Sequence, residues 1–410
     1  MNNKQNNNTL LWVIAGAAII LCCCCLFMLG AGGIGFGLLA SSNSSAGPAP
    51  LDAVTVEVVP ASPSTQPARP SATPRPTQPA GQSSAAPTPA AEEFLTEMQL
   101  QEAVVPARNL RVLSEELRGT GPIPEVVNDT TPTYQLNEQQ KFWINNDDTG
   151  EHFQIDARLA YVNDVLYMWV EDGANYDPDD LKDAADKFAE QTYPTDRNFF
   201  GSEWNPGVDN DPRLHILHAT QLGDYIAGYY SSSDEYSRIA QPTSNEKEMF
   251  YIELDWVNGL LGSNPLEYDT VLAHEFQHMI HWHTDVNEET WVGEGLSEFA
   301  QDVAGFGPTT TFSRSFLRVP DTQLTSWSDG SAGNENHYGA AYLFMVYFAQ
   351  RFGSDLTRAL VAHPANGVAG IDDILVWSGS ELTFDDVYAD WVVANYADAP
   401  DALGLDGIYG

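Results

Sequence analysis

The amino-acid sequence predicts an α+β protein in which a lobe built on a mixed β-sheet is followed by a helical lobe. Three observations predict this organisation. Residues 10–40 carry no charged side chain, residues 41–91 are rich in Pro, Ser, Ala and Thr, and the remainder has a globular composition. In that remainder, strand-like alternation comes first and helical spacing follows. The predicted segments are a cytoplasmic tail at 1–9, a transmembrane signal anchor at 10–40, a disordered stalk at 41–91, an α/β lobe at 92–288 and a helical lobe at 289–410.

The uncharged residues 10–40 exceed the roughly 20 apolar residues that a helix needs to cross a bilayer. A cleavable signal peptide has a shorter apolar core of about 7–15 residues. Lys4 and the N-terminal amine are the only positive charges before this stretch, which favours a cytoplasmic N-terminus. We therefore predict a single-pass protein of the cell membrane with the rest of the chain extracellular. Cleavage after Ala40 would instead release a secreted protein.

The segment 41–91 is rich in Ser, Ala, Pro, Thr and Gln and contains Pro-Ala-Pro, Pro-Arg-Pro and Ala-Pro-Thr-Pro, so it cannot bury a core and favours extended polyproline conformations. It is interpreted as a stalk that holds the globular part away from the membrane. All four cysteines lie before it, at residues 22–25, so the extracellular part has no disulfides. Four neighbouring thiols are typical of a metal or acylation site, but within an apolar helix they are more often apolar filling.

Alternation of apolar and polar residues predicts strands at 133–136, 141–145, 153–161, 165–170, 213–218 and 249–254. Residues 226–231 are interpreted as an exposed strand or loop. Helical spacing predicts two short helices in 92–118, and further helices from about 266, at 289–304, at 338–350 and at 384–396. Asp177 and Pro178 are typical of a helix cap and first turn, for a helix that reaches about residue 192.

The helix from about residue 266 contains His274, Glu275 and His278 in the order H-E-x-x-H. Residues four apart lie on one face of a helix, so the two histidines can offer imidazole nitrogens to one tetrahedral ion. Glu275 lies beside them, where its carboxylate can reach a water molecule at the ion. Zinc fits, since it accepts imidazole and carboxylate and keeps one position open in catalytic sites.

Glu294, in the helix predicted at 289–304, is the best candidate for the third protein ligand. Glu298 follows one turn later and faces the same way. One carboxylate can bind the metal while the other accepts the N–H of a ligand histidine. Apolar Leu296 and Ala300 predict that this helix packs by a buried stripe, which would bring it against the first helix.

Histidines four apart are often no more than surface or core residues, and H-E-x-x-H also recurs by chance. Here Phe276, Met279 and Ile280 make the helix apolar, so the polar trio would be buried without a function. Burying Glu275 unpaired is costly. These flanks and the second motif favour a metal site.

The motif H-E-F-Q-H, followed by W-V-G-E-G-L-S-E, resembles the gluzincin zinc peptidases, and most closely the hyicolysin-like extracellular bacterial peptidases. The resemblance implies a zincin-like two-lobe fold, with His274, His278 and Glu294 as zinc ligands, Glu275 as general base and Glu298 as their hydrogen-bonding support. Gly293 stands where these families usually have Asn before the ligand Glu. The number of residues between His278 and Glu294 is slightly smaller than in related gluzincins. The metzincin pattern fails, because its Gly and third His fall on His281 and Thr284.

The resemblance also implies an edge strand that binds substrate backbone by β-addition. The oxyanion that forms in peptide hydrolysis needs a donor opposite the metal. His337 and Tyr338 are candidates for that donor, as a polar pair that opens a helix, and Tyr338 matches the helix-start tyrosine of related enzymes better. A tyrosine packed at a helix end is an equally good interpretation. His281 and His283 are interpreted as residues flanking the ligands, and His215 and His218 as structural.

The net charge of −39, from 57 acidic and 18 basic residues, argues against binding of nucleic acid. The expected partners are a peptide or protein substrate and, through the anchor, the membrane. Asp209-Asn210-Asp211 is a candidate calcium site, although such a sequence is more often a solvated turn.

The predicted function is that of a membrane-anchored extracellular zinc endopeptidase. The alternative of a different class is a catalytically silent surface module that uses the same fold for adhesion or sensing. Glu275 favours the enzyme, since a silent relative has no use for a buried base. An exopeptidase would need a carboxylate cluster for the substrate amine, and no G-x-M-E-N-like motif supplies one.

Overall fold

A computed structural model describes Thr96, Gln99 and the ranges 107–224, 226–260, 265–308, 310–328 and 333–397. The described residues from 107 onwards belong to one compact unit, and Thr96 and Gln99 belong to another. The predicted tail, anchor and stalk lie outside the described residues. Within the described ranges, no helix combines the length and apolar character needed to cross a membrane.

In the described part of the chain, six strands form one mixed sheet, which confirms the α+β prediction. They are β1 (Gln139–Asn146), β2 (Glu151–Val162), β3 (Leu166–Glu171), β4 (Leu214–Ala219), β5 (Gly228–Tyr230) and β6 (Met249–Glu253). Their spatial order is β1-β2-β3-β4-β6-β5. The first three form an antiparallel meander, β3, β4 and β6 run parallel, and β5 pairs antiparallel with β6 at the edge.

Five of the predicted strands are confirmed, and the interpretation of 226–231 as an exposed strand or loop is refined, because β5 is a short edge strand within it. The predicted strand at 133–136 is wrong, because this segment is irregular. The Tyr134 ring packs edge-on against Tyr167, with ring centroids 5.1 Å apart, and Asn137 turns the chain with a φ of 68°. Tyr134 thus packs its ring on the sheet without being part of a strand.

The helices are α1 (Leu110–Arg118), α2 (Pro178–Lys187), α3 (Tyr193–Phe200), α4 (Leu254–Leu260), α5 (Pro265–Thr284), α6 (Thr290–Val303), α7 (Thr310–Arg318), α8 (Glu335–Phe352), α9 (Ser354–Val361), α10 (Gly367–Trp377) and α11 (Phe384–Ala397). The predicted helices from 266, at 289–304, at 338–350 and at 384–396 are confirmed as α5, α6, α8 and α11. Of the pair predicted in 92–118, the second is α1. The first falls in a range of which only Thr96 and Gln99 are described, both helical.

The helix predicted to begin at Pro178 does so, and the Asp177 side chain accepts from the Asp179 amide. It does not end near residue 192. A π-helical turn, Phe188–Thr192, leads directly into α3. Pro194 has no amide proton to donate within a regular α-helix, and the wider turn lets the helical path continue past it.

The hydrophobic core lies between the parallel strands and the helices α5, α6 and α8. Leu272, Phe276, Met279 and Ile280 of α5 are at most 1% exposed. Trp291 of α6 is equally buried, and its ring lies 5.7 Å from that of Phe344. This packing fixes α5 between the sheet and α6 and leaves the H-E-x-x-H motif at their junction.

The close approach of α6 to α8 depends on Gly295, which follows Glu294 directly. A Cβ placed there would lie 2.8 Å from the Ala341 carbonyl oxygen and 2.9 Å from Met345 Cγ, whereas one at Gly293 meets no atom within 4 Å. We expect Gly295→Ala to lower the free energy of unfolding by about 1–3 kcal/mol. The matched change Gly293→Ala should raise it by about 0.4–1 kcal/mol. Urea denaturation of both variants tests this, and equal stabilities would contradict the close helix contact.

Candidate metal centre

Two imidazoles from α5 meet at one point. His274 and His278 lie one helical turn apart, and their Nε2 atoms are 3.1 Å from each other. The His274 side chain is 3% exposed and that of His278 is 22% exposed. The ring nitrogens that face each other are therefore held at the edge of the core, with one side open towards solvent.

A carboxylate from α6 completes a triangle with these nitrogens. Glu294 Oε2 lies 3.3 Å from His274 Nε2 and 3.4 Å from His278 Nε2. Ligand atoms at zinc distances, arranged as a tetrahedron, are about 3.3 Å apart. The three atoms therefore have the separation of one face of a tetrahedral zinc site, and the fourth position is left for a non-protein ligand.

The electrostatics of the triangle fit a cation. Glu294 Oε2 is buried and lies within 3.4 Å of both ligand nitrogens. Burial alone would raise the pKa of Glu294, but the neighbouring His278 and His274 outweigh it and hold this pKa well below its usual range. Burial would lower the pKa of His274, but hydrogen bonds to Glu294 and Glu298 raise it well above normal. This cluster, His274, His278 and Glu294, could hold a metal ion.

Glu298 supports the first histidine from behind. Its Oε1 lies 3.1 Å from His274 Nδ1, and its side chain is 1% exposed. A carboxylate at Nδ1 keeps the proton on that nitrogen and leaves the lone pair of Nε2 directed at the metal position. The geometry is the one expected for Glu298 from the helical spacing of α6.

Ser297 supports the second histidine, a contact that the sequence analysis missed. Its hydroxyl donates to Gln277 Oε1, and its oxygen lies 3.1 Å from His278 Nδ1. Because the hydroxyl proton is already used, the oxygen can accept the Nδ1–H of His278, which again leaves Nε2 for the metal. Glu294, Ser297 and Glu298 occupy positions i, i+3 and i+4 of α6. This spacing is the signal that could have identified the serine.

Removing the Ser297 hydroxyl should loosen the His278 ring and weaken metal binding. We expect Ser297→Ala to reduce zinc affinity by about 10-fold, within the range typical of residues that orient metal ligands. Titration of zinc against a competing chelator measures this. Ser315→Ala makes the same change on α7 at a residue outside the metal cluster and is the control. Equal affinities of the two variants would contradict an orienting role.

Glu275 faces the same region from α5 and is 3% exposed. Burial raises its pKa, although His274 and His278 act in the opposite direction. Its carboxylate accepts a backbone hydrogen bond from Tyr230, the last residue of β5. The edge strand of the sheet therefore ends beside the H-E-x-x-H motif.

Of the two candidate oxyanion donors, Tyr338 has its ring near a ligand histidine. Its ring centroid is 6.4 Å from that of His274, and the ring stacks on Phe312. His337 packs against Trp327, with ring centroids 6.0 Å apart. Both residues belong to the first turn of α8, and their proposed role in stabilising an oxyanion stays a prediction.

Four further histidines, at positions 215, 218, 281 and 283, do not belong to the metal cluster found among the described residues. His281 is buried, and burial lowers its pKa to about 3, while His283 is exposed. His215 accepts the indole N–H of Trp169, and His218 Nε2 lies 2.6 Å from the Tyr268 hydroxyl. Both are fully buried, as the structural interpretation expects.

The candidate calcium loop is not a solvated turn, since Asp209 and Asp211 are each 1% exposed. Asp211 accepts the hydroxyl of Tyr167, and Asp209 Oδ2 lies 3.4 Å from His215 Nε2. The alternation of polar residues suggested exposure, whereas both carboxylates turn inwards to polar partners. Calcium binding by this loop stays a prediction.

Comparisons with known proteins give no family assignment. No protein-family model matches the sequence, and no curated protein matches it. The resemblance to gluzincin peptidases therefore depends on the two motifs and on the geometry of the residues that they contain.

Proposed function

We propose that this protein is a zinc-dependent endopeptidase in which His274, His278 and Glu294 hold the metal and Glu275 is the general base. The observation that carries the proposal is the triangle of ligand atoms, 3.1–3.4 Å on its sides, next to a buried carboxylate on the same helix. When bound, zinc would lower the pKa of a water molecule and polarise the scissile carbonyl.

Glu275 takes the proton of the attacking water and later delivers it to the leaving amine nitrogen. Burial suits this work in two ways. It excludes competing solvent from the carboxylate, and it raises the pKa of the group, which makes it a stronger base. The Tyr230 backbone amide donates a hydrogen bond to this carboxylate, which links the proposed base to the end of the edge strand.

The free edge of β5 is the proposed docking strand for the substrate backbone. An extended peptide can add to it by main-chain hydrogen bonds, since among the described strands β5 pairs with β6 alone and lies at the edge of the sheet. Binding of this kind grips the middle of a chain rather than its end, which favours endopeptidase activity. Tyr338 is the proposed donor to the oxyanion, because its ring lies beside that of His274.

In this proposal, residues 10–40 anchor the protein in the cell membrane and the catalytic part is extracellular, or secreted if the anchor is removed. A silent adhesion module is the weaker alternative. Such a module would have no reason to retain Glu275, whose burial is costly unless the group is used.

Digestion of casein by the purified protein, with and without a metal chelator, tests the proposal. Mass spectrometry of the products should show internal cleavages that disappear with the chelator and return with added zinc. Cleavage that persists with the chelator would contradict a metallopeptidase, and single residues released from chain ends would indicate an exopeptidase. A digest identical to the enzyme-free control would favour the silent module.

A further inference from the structure

The ring of Tyr338, the proposed donor to the oxyanion, lies between two other aromatic side chains. Phe312 of α7 stacks on it, with ring centroids 5.0 Å apart and an interplanar angle of 23°. Trp327, in the segment that follows α7, meets it edge-on at 4.8 Å and 73°. Stacked and edge-to-face contacts each favour one orientation of the rings that they join. Together they hold the Tyr338 ring in one position beside His274.

The contact with Phe312 is determined by the backbone. Gly339 follows Tyr338 in α8 and lies so close to the Phe312 carbonyl oxygen that a Cβ at this position would overlap it. The two helices therefore touch through main-chain atoms, and this touch sets the distance between Phe312 and Tyr338.

The contact with Trp327 depends on side-chain hydrogen bonds from Asn334. This residue precedes the first turn of α8 and is 1% exposed. Its Oδ1 accepts from the hydroxyl and the amide of Ser328, at 2.6 and 3.3 Å, and its Nδ2 donates to the Ser328 carbonyl at 3.1 Å. Asn336 Nδ2 also donates to Thr322 Oγ1, at 2.6 Å. The segment that carries Trp327 is thus fastened to the start of α8 on both sides of the tryptophan.

The bonds of Asn334 differ from those usual at its position. An asparagine before the first turn of a helix typically caps that helix by accepting one of its free amides, and Asn334 makes no such bond. Its side chain bonds instead to Ser328, the neighbour of Trp327. Neither Asn334 nor Trp327 belongs to the metal cluster of the described residues, and the proposed catalytic steps use neither. Their contacts lead only to the start of α8, where Tyr338 lies.

We propose that Trp327 is a positioning residue, which Asn334 holds against the Tyr338 ring so that the tyrosine hydroxyl stays directed at the oxyanion. The inference rests on the proposed function and on Tyr338 as its oxyanion donor. Such a donor is effective when it is in place before charge develops, because no reorganisation is then needed during the reaction. Helix ends fray, so a donor in the first turn of α8 depends on support from outside the helix.

A double-mutant cycle on the full-length, zinc-loaded protein tests the inference, with kcat and KM measured on one fluorogenic peptide. Tyr338→Phe should lower kcat by about 10²–10³-fold, the loss typical of one oxyanion donor. Trp327→Ala should lower kcat by about 10–10²-fold with little change in KM, as a misplaced group does. In the Tyr338→Phe background Trp327→Ala should cause no further loss, because the two residues act as one unit.

Further variants separate positioning from stability. Trp327→Phe retains a ring and should restore most of the activity. Trp327→Leu retains apolar bulk without a ring edge, should behave as the alanine variant does, and replaces it in the cycle if that variant does not fold. Asn334→Ala should also lower kcat, again only while Tyr338 is present. Trp377→Ala, whose side chain is 73% exposed on α10, is the matched control and should retain the wild-type kcat.

The outcomes distinguish the inference from the proposed function. Equal losses from the Trp327 variants with and without the tyrosine hydroxyl would overturn the positioning role, since a merely structural tryptophan acts independently of that hydroxyl. A loss confined to KM would overturn it too, because it indicates contact with the substrate. Wild-type kcat in Tyr338→Phe removes the oxyanion donor and the role of Trp327 while zinc-dependent hydrolysis remains. Absence of hydrolysis by the zinc-loaded wild type removes the proposed function itself.

Discussion

Glu275→Gln should leave zinc bound and reduce peptide hydrolysis by about 10²–10⁴-fold, the contribution typical of a positioned general base. The amide has the shape of the carboxylate and can still accept the backbone hydrogen bond from Tyr230. It cannot take a proton from water. The three ligand atoms belong to other residues, so the metal position should not change. The measurements are kcat/KM on a fluorogenic peptide and the zinc content per chain.

The control for this substitution is Glu381→Gln, an exposed position in the loop before α11. It makes the same chemical change and should retain wild-type activity and metal content. Activity retained in Glu275→Gln would remove this residue from the mechanism. Loss of both activity and zinc would show that Glu275 supports the metal, and the base would then have to be sought elsewhere.

The geometry of the candidate site could be predicted from spacing wherever a single helix determines it. The separation of His274 and His278 follows from four residues of α5, and the positions of Glu294 and Glu298 follow from one turn of α6. The meeting of the two helices was expected from their apolar stripes. Their apolar residues are buried in one core, where Phe276 and Leu296 are both fully inaccessible. Helical periodicity was enough to predict these positions, because the residues of each pair are one helical turn apart and a short loop joins the two helices.

Features that depend on how separate elements cross could not be predicted in this way. The contact of Ser297 with His278 depends on the angle between α5 and α6, which spacing does not determine. The edge strand β5 has only three residues, and it is a strand because Gly228 pairs with Ile252, at the far end of a long loop. A cavity beside Trp282 is lined by three separate elements, which are α1, α5 and the loop that follows α3. Long-range packing decides all three.

The wrong predictions have local causes. The segment around Tyr134 suggested a strand, but it is irregular, and the Tyr134 ring packs edge-on against Tyr167 of the sheet. Asp209 and Asp211 suggested an exposed turn, and they are buried because Tyr167 and His215 supply polar partners inside. Polar residues mark the surface only when the interior offers them no partner.

Glu294→Gln should weaken zinc binding by more than about 100-fold, since residues that only orient the ligands already account for 10–100-fold. The amide keeps the volume of the side chain but loses the charge that Oε2 presents to both Nε2 atoms, 3.3 and 3.4 Å away. Zinc at 100 times the wild-type Kd should stabilise the wild type by about 2.7 kcal/mol. For a variant bound 100-fold more weakly, the same zinc concentration adds only about 0.4 kcal/mol.

Thermal unfolding with and without zinc, at one fixed metal concentration, measures this difference directly and requires no enzymatic activity. Glu298→Gln should give an intermediate shift, because its amide oxygen can still accept the Nδ1 proton of His274 and only the negative charge beside that ring is lost. Glu381→Gln should shift as the wild type does. The metal-free Glu294→Gln protein should also be less stable at neutral pH. The pKa of Glu294 is depressed in the folded state, so its ionised form stabilises the fold above the unfolded pKa. Should zinc stabilise Glu294→Gln as much as the wild type, the third ligand is another group, and the triangle on which the peptidase proposal depends would not be the metal site.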